Sequence, residues 1–279
     1  MTGKDVRLGK LFSNGNPVVV AADHGSYMGP FKGIEDLPKQ IMQFKKADAF
    51  LVMPGMAKLC KDFFADKNAP LCIIRVNWAS HYCKSYIKGF SKVERETYYD
   101  KGYNEKYCSV KYAVSLGADI VIASLLLGTD EEANTRNIAQ FVDIISEADN
   151  LGIPVIGEYI PFGGIDRYSG DISDLLLGTR ACAEFGADII KTVFVEQFEE
   201  VSGSSIVPAF ALGGGVFNKP ADAFNLAKKA LSKGAKGVVF GRNVICAEKP
   251  SSFLDCLINV VKNGISPEEA EKEYLNSLK

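Results

Sequence analysis

Eight short apolar runs recur along the chain, and the residues at which they start alternate. The odd-numbered runs begin at a proline, and the even-numbered runs follow an alanine that is preceded by glycine in three cases. Proline is tolerated at the first residue of a strand, and glycine commonly ends a helix before the chain turns into a sheet. The runs start at Pro17, Ala47, Pro70, Ala118, Pro154, Ala187, Pro208 and Ala235. We therefore expect eight strands.

The stretches between the runs are amphipathic and carry helix-start signals. A T-x-x-E capping box begins at Thr129. A second helix start is predicted at Ser266, where the sequence SPEE provides an N-cap serine, a proline at N1 and a glutamate at N3. Apolar strands that alternate with helices are typical of a parallel sheet covered by helices. Eight such units predict an α/β fold, a single (β/α)8 TIM barrel over residues 1–279. The alternative is an open doubly wound sheet, whose dinucleotide-binding form is disfavoured because no G-x-G-x-x-G follows the first run.

One connection is much longer than the others. An insertion at about residues 78–104, after strand three, carries Trp78, His81 and several tyrosines among lysines and acids, and a helix is expected to resume near Glu105. Long ordered loops in barrels often act as lids or subunit contacts. A surface insertion without chemistry is an equally good interpretation.

Composition excludes several classes of partner. The net charge of −2, from 32 Lys and Arg against 34 Asp and Glu, gives no electrostatic footprint for nucleic acid or an anionic membrane. The apolar runs are too short to cross a bilayer, and the amino terminus lacks the apolar core of a signal peptide, so we expect a cytoplasmic protein. With two histidines and no C-x-x-C pair among seven cysteines, neither a zinc site nor a Ser-His-Asp triad is expected.

Lys191 is the most informative residue, because it interrupts the sixth apolar run. Burying an ammonium group is costly unless it is paired or loses its proton. A deprotonated amine can form a Schiff base with a carbonyl substrate. The alternative is a lysine ion-paired across the barrel to Glu158 or Asp23, and spacing does not decide between the two interpretations.

Other polar residues fall near the carboxyl ends of the runs, where barrel active sites form. Asp23 could position substrate hydroxyls or assist proton transfer, or cap the following turn, and His24 is expected to be a structural hydrogen-bonding residue. Tyr159 is a candidate general acid–base or an ordinary barrel aromatic. Adjacent strand residues point to opposite faces, so Glu158 and Tyr159 cannot both face the lumen. His24, Arg75 and Glu158 are possible substrate-binding residues.

Glycine clusters follow the seventh and eighth runs, in the loops that form the frequent phosphate site of these barrels. Glycine lets backbone N–H groups approach phosphate oxygens, and Arg242 can add a charged bidentate contact. Tight turns also favour glycine, but two clusters in these two loops favour a bound phosphate group. The predicted phosphate-binding residues are Gly213, Gly214, Gly241 and Arg242.

Several segments together resemble one family. Residues 7–12 (RLGKLF), 18–25 (VVVAADHG) and 186–192 (GADIIKT), with the two glycine loops, are similar to the class I Schiff-base aldolases of the DeoC/FbaB/LacD group, archaeal fructose-bisphosphate aldolase type. The resemblance implies that Lys191 is the Schiff-base lysine, that Asp23 is an active-site acid and that Tyr159 is the proton-shuttling tyrosine. The family's Tyr-Pro-Arg-Gly is not reproduced, since the chain reads YIPFG from Tyr159.

The segments DHGSYMGPFKGIE and IKTVFVE look closest to the thiolase branch, which processes phosphorylated autoinducer-2. From the family resemblance as a whole, and from Tyr159, we expect a metal-independent class I aldolase without a cofactor. It would act on a phosphorylated ketose or related keto-phosphate as a homo-oligomer. One alternative is thiolase-like acyl transfer from a phosphorylated diketone to coenzyme A, against which Tyr159 argues because that branch lacks the tyrosine. A second alternative is a non-catalytic barrel that binds sugar phosphates.

Overall fold

Eight of the ten strands in the described part of the chain close into a parallel barrel. The computed structural model describes residues 1–79, 103–128, 130–161 and 172–279. The strands are β1 (Val18–Ala21), β2 (Ala49–Val52), β3 (Leu71–Arg75), β4 (Asn77–Ala79), β5 (Asn104–Lys106), β6 (Ile120–Leu125), β7 (Val155–Tyr159), β8 (Ile189–Val193), β9 (Ala209–Leu212) and β10 (Gly237–Phe240). The barrel order is β1, β2, β3, β6, β7, β8, β9 and β10, with β10 paired to β1. Each barrel strand lies within one of the eight runs, so the predicted (β/α)8 barrel is confirmed.

Helices connect the strands and cover the barrel. Within the described ranges the α-helices are Gly3–Leu11, Gly25–Met28, Leu37–Gln40, Pro54–Leu59, Lys61–Phe64, Val110–Ser115, Glu131–Leu151, Ile172–Glu184, Phe198–Ser204, Pro220–Ser232, Arg242–Ile245, Pro250–Ile258 and Pro267–Ser277. A 3-10 helix spans Ile41–Phe44 and a π-helix spans Asn259–Asn263. None of these helices is long and apolar enough to cross a bilayer.

One of the two predicted helix starts is confirmed. Ser266 caps its helix, and its hydroxyl accepts a hydrogen bond from the backbone N–H of Glu269 at 3.1 Å. The helix Glu131–Leu151 starts one residue later than the T-x-x-E motif predicts, because the carboxylate of Asp130 accepts from the N–H of Ala133 at 2.8 Å. Thr129 lies outside the described residues.

Three aspartates fix the register of neighbouring strands at the amino end of the barrel. Each stands directly before β2, β6 or β8 and accepts a hydrogen bond from a backbone N–H in the first two residues of the preceding barrel strand. These bonds join Asp48 to Val18 N (2.7 Å), Asp119 to Cys72 N (2.9 Å) and Asp188 to Val155 N (2.8 Å). Buried backbone donors need such partners, which explains why an acid recurs directly after the alanine of these runs.

The barrel wall separates two apolar layers. Alternate strand residues point inward and pack against one another, and the helix Gly3–Leu11 closes the amino end, where the Phe12 ring meets Phe210 with 5.8 Å between centroids. The opposite set of strand residues packs against the surrounding helices. Because side chains alternate along a strand, an inward apolar residue fixes the direction of the residue two positions later.

The insertion after β3 begins and ends as a two-stranded ribbon. β4 and β5 pair antiparallel, with Trp78 opposite Glu105. The expectation of a helix near Glu105 is therefore wrong, because this residue belongs to β5 and the next helix begins at Val110. His81 and the tyrosines of the insertion up to Tyr99 lie outside the described residues.

Candidate active site

Five inward-facing positions near the carboxyl ends of the strands carry polar side chains. In β3, β6, β7 and β8 the residue two positions earlier is an isoleucine of the barrel interior, and in β1 it is Ala21. The same face therefore continues from apolar to polar at the mouth of the barrel. The five residues are Asp23, Arg75, Ser124, Glu158 and Lys191, all of them buried.

Lys191 and Glu158 form the centre of this group. They lie directly opposite each other on the adjacent strands β8 and β7, and Lys191 Nζ donates a hydrogen bond to Glu158 Oε1. The other carboxylate oxygen, Oε2, accepts from the Ser124 hydroxyl at 2.6 Å and lies 2.9 Å from Arg75 Nη2. The ion pair considered for Lys191 is thus present. Its partner is Glu158 on the adjacent strand β7 and not a residue across the barrel.

Arg75 joins the two acids of the site. Its Nε donates to Asp23 Oδ2 at 2.5 Å, and its Nη1 donates to the Ser124 hydroxyl at 2.9 Å. Burial alone would raise the pKa of Glu158, but the charges of Arg75 and Lys191 lower it below its usual value. The same balance, dominated by Arg75, holds the pKa of Asp23 well below its usual range. Both carboxylates are therefore ionised at neutral pH.

His24 is a neutral imidazole between Asp23 and the loop after β10. Burial lowers the pKa of His24 to about 4, although the nearby Asp23 charge opposes this shift. Its Nδ1 lies 3.6 Å from Asp23 Oδ1, and a Cβ at Gly241 would stand 2.5 Å from its Cε1. Any larger residue at position 241 would therefore overlap the His24 ring in its present position.

The two predicted phosphate loops meet at the mouth of the barrel. Arg242 Nη2 donates to Gly214 O at 3.3 Å, and Arg242 Nε is buried without a hydrogen-bond partner within the described ranges. The predicted use of the Gly213 N–H for phosphate is contradicted, because this group donates to Val239 O at 2.9 Å in the barrel ladder. Gly213 is needed for packing instead, since a Cβ there would lie 2.7 Å from the Phe240 ring.

Asn243 holds the loops after β9 and β10 together, a role that sequence reasoning missed. Its side-chain amide donates to Gly213 O at 3.0 Å and Gly215 O at 2.8 Å, and its Oδ1 accepts from Phe217 N at 2.9 Å. The only sequence signal was its position directly after Arg242. Asn243 therefore fixes the shape of the loop that carries Gly214.

Tyr159 lies outside the barrel lumen. Its side chain is fully buried between β7 and the helix Ile172–Glu184, where its hydroxyl donates to the carboxylate of Asp174. A Cβ at Gly178 of the same helix would stand 2.1 Å from the Tyr159 ring, so the ring packs directly on the helix backbone. The structure contradicts the predicted acid–base role of Tyr159, because its hydroxyl is on the opposite face of the wall from Lys191.

An open cleft lies above Lys191. Its lining includes Gly214, Gly241 and Arg242 of the loops after β9 and β10, together with Tyr27, Trp78 and Ile160. The Trp78 ring covers the Arg75 guanidinium at 3.9 Å and stacks on Tyr27 with 5.3 Å between centroids. Tyr27 was not singled out from the sequence, because nothing in its short helix marks it as facing the site.

The stem of the insertion is bonded directly to the site. Asn77 Oδ1 accepts from the backbone N–H of Ser124 at 2.6 Å, and its Nδ2 donates to Ser124 O at 3.0 Å. Asn104 Nδ2 donates to the same carbonyl at 2.6 Å. The two ends of the insertion therefore hold the residue whose hydroxyl contacts Glu158. Among the described residues, no three His, Cys, Asp or Glu side chains cluster as a metal ion would require.

Comparison with known proteins identifies the family. Residues 17–247 match the family model of the DeoC/LacD family aldolases. The chain belongs to this family. It is 33% identical over 280 residues to an uncharacterized aldolase of Saccharolobus solfataricus, with 98% of this chain and 99% of the relative covered. It is also 28% identical to the 3-hydroxy-5-phosphonooxypentane-2,4-dione thiolase of Yersinia enterocolitica, covering 98% of this chain and 87% of the relative.

A solved aldolase structure shares the fold. An archaeal fructose-1,6-bisphosphate aldolase, captured with its catalytic lysine covalently bound to the carbinolamine intermediate of the substrate, superposes with a TM-score of 0.74 at 21% identity. The match covers 92% of this chain and 98% of the aldolase chain. At this identity the likeness demonstrates the common barrel architecture.

The position of Tyr159 can be tested through Gly178. We expect Gly178→Ala to lower the free energy of unfolding by about 1–3 kcal/mol, because the added methyl group would overlap the Tyr159 ring. The matched control is Gly203→Ala in the helix Phe198–Ser204, where a Cβ meets no atom within 4 Å and where alanine should stabilise by roughly 0.5–1 kcal/mol. Urea unfolding measures both, and equal effects of the two substitutions would contradict this packing.

Proposed function

We propose that the protein is a class I aldolase that cleaves or forms a carbon–carbon bond of a phosphorylated ketose or related keto-phosphate. The observation that carries the proposal is the position of Lys191. Its ammonium group lies at the base of the cleft of a DeoC/LacD family barrel, in hydrogen-bond contact with a buried carboxylate. An amine so placed can attack the carbonyl of a substrate that enters the cleft.

The chemistry proposed for Lys191 is imine formation. The neutral amine adds to the ketone, and loss of water gives an iminium ion. The positively charged iminium withdraws electrons from the adjacent carbon–carbon bond, so the bond can break when a neighbouring hydroxyl gives its proton to the Asp23 carboxylate. The aldehyde leaves, and the remaining enamine is then reprotonated at carbon. Asp23, ionised and held by Arg75, is proposed to accept hydrogen bonds from substrate hydroxyls beside that bond.

Arg242 is proposed to bind the phosphate group, together with the backbone at Gly214 and Gly241. The support is geometric: these residues line one side of the cleft, and Arg242 Nε lacks a hydrogen-bond partner among the described residues. A phosphate oxygen would provide that partner in a charge-assisted hydrogen bond. Binding energy from the phosphate would then hold the reacting carbon close to Lys191.

The proposal is tested by trapping the imine. Borohydride reduction in the presence of dihydroxyacetone phosphate should attach the ligand covalently to Lys191, as read by peptide mass spectrometry. Lys191→Ala should abolish the adduct and lower turnover at least about a thousandfold while the protein remains folded. Lys236→Ala, at the exposed start of the eighth run, is the control and should trap normally. Activity that is lost with a chelator and insensitive to borohydride would contradict the imine mechanism.

The phosphate assignment is tested at Arg242. We expect Arg242→Ala to raise KM by an amount equivalent to roughly 1.5–3 kcal/mol, the range for a charged hydrogen bond, with a smaller effect on kcat. The control is Arg180→Ala, a partly exposed arginine that pairs with Glu184 on a helix outside the barrel. Steady-state kinetics measures both variants. An unphosphorylated ketone used as efficiently as its phosphate ester would refute the assignment.

A second candidate is thiolytic cleavage of a phosphorylated diketone by coenzyme A. In the sequence, Tyr159 favoured aldol cleavage over the thiolase reaction. Its side chain lies outside the lumen, so its presence no longer distinguishes the two reactions. The similarity to a relative named as a thiolase also favours this candidate. Both reactions can begin with an imine at Lys191. A non-catalytic sugar-phosphate-binding barrel, by contrast, gives no borohydride adduct.

Dependence on coenzyme A distinguishes the two reactions. For the proposed aldolase, turnover of ketose phosphates should proceed without coenzyme A and release an aldehyde, because the electron pair of the broken bond passes to the iminium. Fructose 1-phosphate and fructose 1,6-bisphosphate serve as probes, with aldehyde release followed by a coupled reductase. Turnover that strictly requires coenzyme A, with an acyl thioester as the product, would assign the protein to the thiolase reaction.

A further inference from the structure

The indole of Trp78 covers the guanidinium group of Arg75, and this arginine contacts both acids of the site. Arg75 Cζ lies 3.9 Å from the centre of the indole ring, and Arg75 forms ion pairs with Asp23 and Glu158. We propose that Trp78 is a positioning residue of the imine site. Its ring holds the Arg75 guanidinium in the plane in which it contacts the two carboxylates, and it keeps water from the guanidinium face. The kinetic test of this inference rests on the proposed function.

The polar edge of the Arg75 guanidinium is already occupied. Nε donates to Asp23 Oδ2 at 2.5 Å, Nη1 donates to the Ser124 hydroxyl at 2.9 Å, and Nη2 lies 2.9 Å from Glu158 Oε2. The three nitrogens lie in one plane, because the guanidinium group is planar. The faces of the group have no donors, so an aromatic ring is the kind of group that can pack against them favourably.

Arg75 needs this packing because its three partners belong to different elements. Arg75 is the last residue of β3, whereas Ser124 lies in β6, Glu158 lies in β7 and Asp23 follows β1. A long side chain loses much of its rotamer freedom when it is held in one position, and this loss opposes the ordered arrangement. The indole on the guanidinium face offsets part of that loss and disfavours positions in which the group tilts away from one of its partners.

The position of Trp78 is set by the stem of the insertion. Trp78 lies in β4 and pairs with Glu105 of β5. The preceding residue, Asn77, bonds to both backbone groups of Ser124, at 2.6 and 3.0 Å. The Tyr27 ring stacks on the indole with 5.3 Å between centroids and 17° between the ring planes. Several elements therefore hold the indole, as a positioning group requires.

The indole also limits access of water to the buried charges. Trp78 is half-buried, whereas Arg75, Asp23 and Glu158 are buried. Ion pairs that water does not reach are screened much less by salt than exposed pairs are. Without the ring, water and salt ions would reach the guanidinium face and weaken the contacts of Arg75 with both acids. Since Lys191 bonds to the same Glu158 carboxylate, the surroundings of the reacting amine would change as well.

Replacement of the indole tests the positioning role. Trp78→Leu and Trp78→Met remove the aromatic face and should lower the rate of borohydride trapping about 10- to 30-fold at saturating dihydroxyacetone phosphate, because a desolvated cation–π contact is lost. Trp78→Phe keeps a smaller aromatic face and should lose only about threefold. The matched control is Tyr103→Leu, whose ring lies 4.7 Å from the exposed Arg136, and it should trap at the parental rate. Urea unfolding establishes that each variant is folded.

Salt dependence separates positioning from simple packing. An increase in sodium chloride from about 50 to about 500 mM should change the trapping rate of the parent protein less than about twofold, because its ion pairs are buried. The variants Trp78→Leu and Trp78→Met should lose a further factor of about three or more over the same range. Saturating ligand removes the effect of salt on phosphate binding, and Tyr103→Leu should follow the parent protein.

A measurement on Arg75 itself does not depend on the reaction. The Nε–H of Arg75 is bonded to Asp23 and covered by the indole, so it should give a slowly exchanging signal in nitrogen-15 NMR spectra of the parent protein. Loss of this signal in Arg75→Lys assigns it. We expect exchange to accelerate about tenfold in Trp78→Leu, by a smaller factor in Trp78→Phe and not at all in Tyr103→Leu.

Trapping at the parental rate in folded Trp78→Leu or Trp78→Met would overturn the inference, as would an equal loss in Trp78→Phe. A loss that does not vary with salt, with unchanged exchange at Arg75, would make Trp78 a packing residue. If neither variant without a ring folds, unchanged exchange at Arg75 in Trp78→Phe overturns the inference. If the parent protein gives no adduct with dihydroxyacetone phosphate, fructose 1-phosphate or fructose 1,6-bisphosphate, the proposed function fails, and the exchange measurement still decides whether Trp78 holds Arg75.

Discussion

The site depends on four charges buried together: Lys191 and Arg75 as cations, Glu158 and Asp23 as anions. An isolated buried charge is costly, and removing one member of a buried pair leaves its partner uncompensated. The four groups therefore specify one another's positions at the mouth of the barrel. Their charges sum to zero. In the proposed imine chemistry Lys191 would lose its own charge, and Arg75 would still contact both carboxylates.

Strand alternation decides which side chains can join this group. Short apolar runs identified eight strands and their carboxyl ends, and Lys191 was recognisable because a charge interrupted such a run. The sequence could not show whether Glu158 or Tyr159 faces inward, because strands of a parallel barrel are apolar on both faces and their parity is not visible. The parity is fixed by pairing: Glu158 stands opposite Lys191, and Ile156 two positions earlier is in the interior.

The insertion shows a second limit of sequence reasoning. Its length and aromatic content were evident, but its attachment was not, because Asn77 and Asn104 are far apart in the chain and both bond to the backbone of Ser124. Residues 104–106 were expected to lead into a helix, yet they pair with β4 as an antiparallel strand. The conformation of residues 104–106 is thus set by their pairing with β4, which is distant in the sequence, and not by the local sequence. The ribbon thereby becomes part of the support beneath Glu158.

The lining of the cleft combines a cation, glycines and aromatic rings. Arg242 and Gly214 belong to the loops after β10 and β9, Tyr27 follows β1, which pairs with β10, and Trp78 lies in β4. A phosphate held at Arg242 would place the remainder of a keto-phosphate over Lys191, with the stacked rings of Tyr27 and Trp78 in the same cleft. Trp78 also covers Arg75 at 3.9 Å, so a group bound against the indole would shield the buried charges from water. Exclusion of water strengthens every electrostatic interaction among these charges, so a ligand bound at the mouth would strengthen the contacts of Lys191 and Glu158 beneath it.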